Sequence, residues 1–437
     1  MKKSVQINYY ISILVSLTLL FIRPTWLGEM YSLAAIIFLW FLFMVSYFAT
    51  ESLKLSKQLT AQNRNVIIPF IAYEIIYLLN SSIRGDELLA GKASSVLFDF
   101  LFLSPILYFL CKEEDNLRIS KVFFFSILFA SVSTVITAVL SIFISKNFFL
   151  IYTFLPQKSY AGSEITIFFP FTPMNNGLSI YGERFFGMIF HRSLNWFREP
   201  GVTIVFIAWA FITASKYLKK NSLIIARTLL AIAGLLSFST TSIYIVPLCI
   251  FYTLFIETTE RKNSKISSFS LFHLFSKSLK KILFGLSLSV LIIVFTSLVF
   301  NISLVKSIEG GVQDFLSGDN SFNLEHKNKY GAISLEDRVV QTDGSLANFA
   351  KDPFALTLEA SPGEINVLAS LDKIGIQGLL CIFIMYFFYV MKGKSINERL
   401  SYLFSVLPLV ISCIFTQPLI VSPLTIVLLL FKYPCRS

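Results

Sequence analysis

The sequence predicts an all-α membrane protein, a polytopic bundle of about 12 transmembrane helices that forms one integral domain over residues 1–437. Three observations predict this fold class. The chain is 55% hydrophobic, and its mean hydropathy is +0.71. Its apolar runs recur at close to the roughly 20 residues that a helix needs to cross a bilayer. Between these runs, Lys and Arg gather in alternate connections, as they do on the cytoplasmic side of membrane proteins.

Twelve apolar runs are predicted to span the membrane. The two tight hairpins, Leu223–Ile256 and Leu400–Phe431, have arms close to the lower limit of about 17 residues. In chain order, the predicted spans are Ile7–Ile22, Met30–Thr50, Val66–Ile83, Ser94–Cys111, Val122–Ser145, Gly201–Ser215, Leu223–Ser239, Thr240–Ile256, Ile282–Val305, Ile365–Met391, Leu400–Thr416 and Pro418–Phe431.

The charge distribution predicts that both termini are cytoplasmic. With the N-terminus inside, the inward connections are strongly basic and the outward segments are slightly acidic. Topology therefore explains the net charge of +11, and nucleic acid is not an expected partner. No cluster of Cys and His has metal-ligand spacing, and no glycine-rich loop cradles a phosphate. We therefore expect no metal and no cofactor.

Two outward connections are long, Lys146–Pro200 and Lys306–Glu364, and we expect both extracytoplasmic loops to carry short helices. Long loops on a rigid helical frame commonly carry function. The first contains two aromatic runs, Phe148–Tyr152 and Ile167–Phe171, which are too short to span the bilayer. Two interpretations remain open for these runs. They lie at the membrane interface, or they plug the end of the bundle.

The second loop contains a helix signal. Ser334 and Asp337 have the spacing of a capping box, and they predict a helix over Leu335–Ala350 that ends before Pro353. One face of this helix carries Arg338, Gln341 and Ser345 at positions i, i+3 and i+7. That face offers a cation and hydrogen-bonding groups, so we expect Gln341 and Ser345 to bind a polyhydroxylated substrate.

The first loop ends in a segment suited to anions, Arg192–Gly201, just before an apolar span. Arginine donates two parallel hydrogen bonds to a phosphate or carboxylate and keeps its charge at any working pH. The segment holds Arg192 and Arg198, and Arg184 lies a short way upstream. The alternative for each arginine is a simple ion pair with a loop acid or a lipid headgroup.

These residues give the chain a resemblance to the O-antigen polymerase and ligase superfamily, over roughly Tyr181–Leu380. The family pattern Arg-x-x-Gly-x-Phe-x-Glu-Pro-Gly before a span is matched here except that Asn195 replaces the first glycine. A Ser/Thr-rich turn between two spans also matches, although the arginine often found there is absent. The matching residues are Arg192, Phe197, Glu199, Pro200 and Gly201, then Leu236 to Thr241, and finally Arg338 to Leu346, Phe349, Pro353, Asn366, Leu368, Leu371, Gly375 and Gly378.

The resemblance implies a membrane glycosyltransferase in the bacterial cytoplasmic (inner) membrane. Its substrate is a polyprenyl-diphosphate-linked oligosaccharide, and its product is a surface polysaccharide such as lipopolysaccharide O-antigen or capsule. Transfer is inverting and metal-independent, and polyprenyl diphosphate leaves. The ligase branch typically has a His-Asn pair entering the late span, whereas this chain reads Glu364, Ile365 and Asn366. Polymerase is therefore favoured over ligase. A flippase and a chain-length regulator of the same pathway are expected partners.

The implied chemistry assigns roles to charged residues of both loops. Without a metal, arginine must stabilise the diphosphate leaving group, and the candidates are Arg192, Arg338, Arg198 and Arg184. The general base is expected to be Glu364 or Glu199, each of which lies where a loop meets a span. The alternative for Glu199 is a structural one, because a carboxylate there complements the N-terminus of the following helix.

Two other classes of function fit the same spans. A flippase or secondary transporter also has about 12 helices, but the sequence shows no half-to-half repeat and the largest inward loop follows the eighth predicted span. A non-enzymatic membrane protein is the other alternative, but such a function would not explain why arginines lie at these positions of the two long loops.

Overall fold

The structure is a computed structural model, and it describes fourteen stretches of the chain. These are residues 2–50, 61–86, 89–144, 148–154, 165–175, 183–185, 188–190, 195–197, 199–237, 240–253, 335–356, 366–393, 396–415 and 419–433.

Helices dominate the described residues. They are α1 (Lys2–Thr18), α2 (Trp26–Thr50), α3 (Ala61–Ile83), α4 (Leu89–Cys111), α5 (Glu113–Phe143), α6 (Pro200–Tyr217), α7 (Lys220–Leu235), α8 (Thr240–Phe251), α9 (Leu335–Lys351), α10 (Leu371–Val390), α11 (Ile396–Phe415) and α12 (Pro423–Leu430). Short 3₁₀ turns follow α1, at Leu19–Phe21, and precede α10, at Leu368–Ser370.

The helices agree with the predicted spans in position. Every predicted span except Ile282–Val305, which lies outside the described residues, overlaps with a helix. Five helices of the described chain are long and apolar enough to cross a membrane by themselves, and they support a membrane helix bundle without confirming twelve spans. They are Met30–Phe48, Asn63–Ile83, Leu89–Cys111, Glu113–Ser141 and Leu368–Val390.

The last predicted span, Pro418–Phe431, is shorter than expected. The helix in this region, α12, has 8 residues, and at 1.5 Å per residue it is about 12 Å long. It begins where Ser422 accepts a hydrogen bond from the backbone N–H of Thr425, at 3.3 Å, and its side chains from Leu424 onward are buried. Tyr386 of α10 donates to the carbonyl of Ile420, at 2.8 Å. The sequence identified the apolar run, but α12 is a buried half-length helix.

The bundle has two ends that the contacts define. At one end, which we call the tail face, the start of α5 meets the end of α10 and the residues after α12. At the other, the loop face, Thr25 pairs with Phe197 in a β-bridge, and Arg84 at the end of α3 reaches Asp372 at the start of α10. The first and second loops therefore meet the bundle at the same end.

Asn116 fastens the C-terminal segment at the tail face. Its side-chain amide donates to the carbonyls of Leu110 and Leu430, at 2.8 and 3.0 Å, and its carbonyl oxygen accepts from the backbone N–H of Lys432 at 2.7 Å. Because the side chain is fully buried, each of these groups lacks water as an alternative partner.

Asn116→Ala is expected to lower the free energy of unfolding by about 1–3 kcal/mol, because it leaves buried backbone groups without partners. SDS titration of the purified protein, followed by tryptophan fluorescence, measures this change. The control is Asn221→Ala, at an exposed position in the first turn of α7, which we expect to be nearly neutral. Equal stability of the two variants would contradict the assignment.

The first loop contains strands where we expected short helices. Strands β1 (Leu150–Phe154), β2 (Ile165–Phe168) and β3 (Thr172–Asn175) form an antiparallel sheet in the order β1-β2-β3. Strands β4 (Glu183–Phe185) and β5 (Met188–Phe190) form a separate hairpin. In the described residues from Leu150 to Phe190, these strands take the place of the short helices that we predicted, because the aromatic runs are too short to show helical or strand periodicity.

Hydroxyl groups attach the sheet to the half of α5 that is nearer the loop face. Thr172 of β3 shares hydrogen bonds with Ser133 and with Thr137 of α5, both at 2.8 Å, and Thr137 also donates to the carbonyl of Phe169 at 2.9 Å. Ser133 accepts a further hydrogen bond from the backbone N–H of Phe171. All four residues of β2 are buried. The sheet thus packs on the bundle through one side.

Candidate functional site

The segment Asn195–Phe197, which lies in the arginine-rich motif, is clamped between α5 and the connection from α1 to α2. Trp196 accepts a backbone hydrogen bond from Trp26, its indole stacks on the Trp26 ring with centroids 6.4 Å apart, and its indole N–H reaches the carbonyl of Ser126 at 3.3 Å. Phe197 is fully buried and stacks on Phe206 with centroids 4.2 Å apart. These contacts hold the end of the first loop against the loop face.

Asn195 has a left-handed backbone conformation, with φ of 51°. Only glycine adopts this region without cost, and asparagine is among the few other residues that visit it routinely. The side-chain carbonyl of Asn195 accepts a hydrogen bond from the N–H of Trp196 at 2.8 Å, and its amide group lies 3.4 Å from the hydroxyl of Ser131. Asparagine therefore supports at this position a backbone turn that glycine most readily adopts.

Glu199 immediately precedes the central helix of the bundle. Its backbone carbonyl accepts hydrogen bonds from the N–H and the hydroxyl of Thr203, both at 3.0 Å, and Pro200 occupies the first helical position. The carboxylate makes no capping hydrogen bond to α6 and is half-buried. Residues 202–214 of α6 are all buried, so this helix is enclosed by its neighbours. Glu199 thus lies at the loop-face end of a helix that its neighbours enclose almost completely.

The helix predicted in the second loop is present as α9, Leu335–Lys351, and it is anchored to the start of α10. The hydroxyl of Ser345 donates to the Asp372 carboxylate at 2.8 Å and accepts from the Asp372 backbone N–H at 3.2 Å. Asn348 approaches the other carboxylate oxygen at 3.4 Å. Since Ser345 has no exposed surface, its hydroxyl serves as the anchor of α9 and is not open to a glycan in this arrangement.

Helix α10 is broken one turn after it begins. Gly375 has φ of 64° and ψ of −177°, and a Cβ atom there would lie 2.8 Å from the carbonyl oxygen of Phe354. The turn after α9 fits into the break, where the N–H of Ile376 donates to the carbonyl of Pro353 at 2.8 Å and the Gln377 amide donates to Phe354 at 2.7 Å. The turn after α9 therefore packs into the break of α10 at Gly375. We call this contact the seat of the second loop.

Side chains at the end of α3 donate hydrogen bonds to the carbonyl groups that the break in α10 leaves without helical partners. Arg84 donates through one terminal nitrogen to the carbonyls of Ala355 and Asp372, at 2.9 and 3.0 Å, and Asn80 donates to that of Lys373 at 3.1 Å. Non-helical backbone at membrane depth is tolerated only where protein groups or a water-filled cavity satisfy it. Asn80 and Arg84 thus make the broken helix possible.

Arg84 is itself held by an acidic partner between α3 and α4. Its other terminal nitrogen lies 3.1 Å from the carboxylate of Asp86, and the ammonium of Lys92 lies 2.7 Å from the same oxygen. Burial alone would raise the pKa of Asp86, but the hydrogen bonds and charges of Arg84 and Lys92 outweigh it and lower that pKa from 3.8 to about 2. Asp86 therefore stays ionised, and the guanidinium of Arg84 keeps a fixed direction.

The predicted site residues in the described chain lie in α9, in β4 and just before α6. The others lie outside the described residues. Arg338 and Gln341 lie on α9, and helical periodicity places both on the face of Ser345. Arg184 lies in β4, opposite Ile189 of β5. Arg192, Arg198 and Glu364 lie outside the described residues. The roles proposed for all of these residues stay predictions.

Sequence reasoning missed the residues that support the site. Asn80, Arg84 and Asp372 were assigned no function, although a charged residue at the end of one span and another in the first turn of a later span are unusual enough to signal a tertiary contact. Asn366, one position after the missing histidine of the ligase pattern, has a structural use. Its side chain accepts a hydrogen bond from the N–H of Ala369 at 2.7 Å and caps the 3₁₀ turn.

Comparison with protein-family models, with curated proteins and with solved structures gives no match to this chain.

Proposed function

We propose that the protein is a polymerase of a bacterial surface polysaccharide, which joins polyprenyl-diphosphate-linked oligosaccharide repeat units. In this reaction a sugar hydroxyl of one unit attacks the anomeric carbon of the other chain. The new glycosidic C–O bond forms as the C–O bond to the diphosphate breaks, the hydroxyl proton passes to a carboxylate base, and polyprenyl diphosphate leaves. The anomeric configuration inverts because the hydroxyl attacks from the face opposite the leaving group.

The observation that carries the proposal is that both segments with the family motifs are fastened to the same end of the bundle. The clamp at Asn195–Phe197 holds the first, and the break at Gly375 holds the second. Positive φ values at Asn195 and Gly375, two positions of the motifs, give a physical reason for the glycine preference there. A glycosyl transfer between two large substrates needs rigid groups from two sides, and this arrangement supplies them.

The cations proposed for the leaving group belong to these two segments. Arg192 and Arg198 flank the clamp in sequence, and Arg338 lies on α9 two turns before the anchor at Ser345, about 10 Å along the helix axis. Preorganised guanidinium groups stabilise the developing diphosphate charge without any metal. Glu199, at the start of α6, is the candidate base in the described part of the chain, and Glu364 is the alternative.

The loop face is the proposed extracytoplasmic side. Lys112, Lys392 and Lys432 all lie at the tail face, where Lys392 donates to the carbonyl of Leu429 and Lys432 pairs with Glu113 at 3.5 Å. Basic residues at one end of a helix bundle favour the cytoplasmic side for that end. This orientation supports a site that meets lipid-linked units after they have been flipped across the membrane.

The test is an assay with purified protein in detergent, lipid-linked repeat units and a metal chelator, but no nucleotide. We expect a ladder of products that differ by one repeat unit. Transfer only to an acceptor without a prenyl chain would replace the proposal by a ligase. Movement of the lipid-linked unit across a vesicle membrane with no new covalent bond would replace it by a flippase, and no product with any acceptor would refute both enzymes.

A further inference from the structure

Helix α5 presents one continuous apolar stripe to its surroundings. Phe125, Phe129, Ile136, Val139 and Phe143 are each 39–79% exposed. Their spacings of 4, 7, 3 and 4 residues place them within a narrow sector of a helix with 3.6 residues per turn. Because α5 is long and apolar enough to cross a membrane, lipid is the natural surrounding of this stripe.

The sheet of the first loop lies beside the loop-face half of the same helix, because Thr172 bonds to Ser133 and Thr137. Four apolar side chains in and next to this sheet, Phe148, Ile151, Tyr152 and Phe169, are 84%, 52%, 61% and 54% exposed. These are among the most exposed aromatic and apolar side chains in the described chain. Two neighbouring residues in sequence, Phe149 and Phe168, are buried instead and pack together with ring centroids 5.6 Å apart. The sheet therefore has one side on the bundle and an apolar edge that faces away.

The chemistry of this edge fits the boundary between lipid headgroups and acyl chains. Tyrosine is enriched at that level, because its ring is shielded from water there while its hydroxyl still meets water. Strand β1 is an edge strand, and the outer backbone groups of an edge strand need water or headgroups as partners. The hydrocarbon core offers neither, so an edge strand with apolar side chains is suited to the interface and unsuited to greater depth.

We propose that the sheet β1-β2-β3 is seated in the bilayer interface on the loop-face side, with Phe148, Ile151, Tyr152 and Phe169 in contact with lipid. The partner is the bilayer itself, and the argument is that the sheet is bonded near the loop-face end of α5, a helix long and apolar enough to cross a membrane, while its apolar edge is exposed. The inference is independent of the proposed polymerase activity. It resolves the two interpretations of the aromatic runs, because β2 packs on the bundle while β1 and Phe169 meet the membrane.

The experiment measures the depth of single nitroxide labels in the full-length protein in lipid nanodiscs. Cysteine is introduced separately at Phe148, Ile151 and Phe169 in a background in which Cys381 and Cys435 are serine, since the other three cysteines are Cys111, Cys249 and Cys413, all of them buried. Power saturation then compares collisions with oxygen, which concentrates in lipid, and with a water-soluble nickel complex. Phe129→Cys is the control for lipid, and Asn221→Cys is the control for water.

We expect oxygen collisions to exceed nickel collisions at all three sheet positions, with depth values between those of the two controls. Depth values equal to that of the Asn221 label would overturn the proposal and place the sheet in water. Strong spin–spin broadening at these positions would also overturn it, because a second copy of the chain would then cover the edge. The three native side chains are highly exposed, so we expect the cysteine variants to fold normally. Size-exclusion profiles of the variants check this expectation.

Discussion

Arg338→Ala is expected to lower the rate of repeat-unit polymerisation by about 10²–10³-fold while the protein remains folded. This magnitude is typical for the loss of one preorganised donor to a developing anion. The rate of ladder formation with saturating lipid-linked substrate measures it. Arg338→Lys is expected to retain part of the rate, because the ammonium keeps the charge but does not donate two parallel hydrogen bonds to a diphosphate. Arg192→Ala is expected to behave like Arg338→Ala.

The matched control for these variants is Arg118→Ala, which removes an arginine at the tail face. Arg118 pairs with the exposed Glu114 and the buried Asp115 of its own helix, at 3.2 and 3.4 Å, and Ser12 remains a donor to Asp115 when the arginine is removed. We expect its polymerisation rate to equal that of the unaltered protein. If Arg338→Ala and Arg192→Ala also retained the full rate, the arginine assignment would be wrong, even if the ladder itself had been observed.

Gly375→Ala is expected to lower the free energy of unfolding by roughly 2–6 kcal/mol. The backbone of Gly375, with φ of 64° and ψ of −177°, lies in a region that is essentially restricted to glycine and costs another residue about 1–3 kcal/mol, and a methyl group 2.8 Å from the Phe354 carbonyl oxygen adds overpacking of about 1–3 kcal/mol. The methyl group would push the turn after α9 out of its seat. The variant should therefore lose polymerisation as well, although Gly375 touches no substrate.

Alanine variants at two other glycines separate the cost of the backbone conformation from the cost of overpacking. Gly85 also has a positive φ, of 68°, but a Cβ there meets no atom within 4 Å, so Gly85→Ala is expected to cost only the conformational term of about 1–2 kcal/mol. Gly91 lies in α4 with open space around it, and Gly91→Ala should be neutral or stabilising by about 0.5–1 kcal/mol. SDS titration of the three variants measures the series. A Gly375 variant no less stable than the Gly85 variant would show that the second loop does not rest in the break.

The sequence was sufficient for features that depend on local periodicity and capping. Apolar runs identified the helices of the bundle, and the capping signal with Pro353 identified α9 to within one residue at its C-terminal end. Both signals work because the residues that decide the structure are neighbours in sequence. Of the expected polar face of α9, Ser345 is buried against α10.

The features that escaped prediction depend on partners far away in the chain. Ser345 is an anchor only because Asp372 lies beside it, 27 positions later. The sheet of the first loop forms because hydroxyl groups of α5 bind Thr172. No local pattern encodes such pairings, since they require knowledge of which elements are adjacent.

The bonds of Arg84 have a consequence for biosynthesis. Its carbonyl partners, from Ala355 to Lys373, follow it by 271–289 positions. At a synthesis rate of about 5–20 residues per second, the ribosome needs roughly 15–55 s to make that interval. For this time α3 is already made, yet the groups that Arg84 and Asn80 later bind do not exist. The seat of the second loop is therefore assembled late, and a nascent chain that stops before α10 carries the first loop without its counterpart.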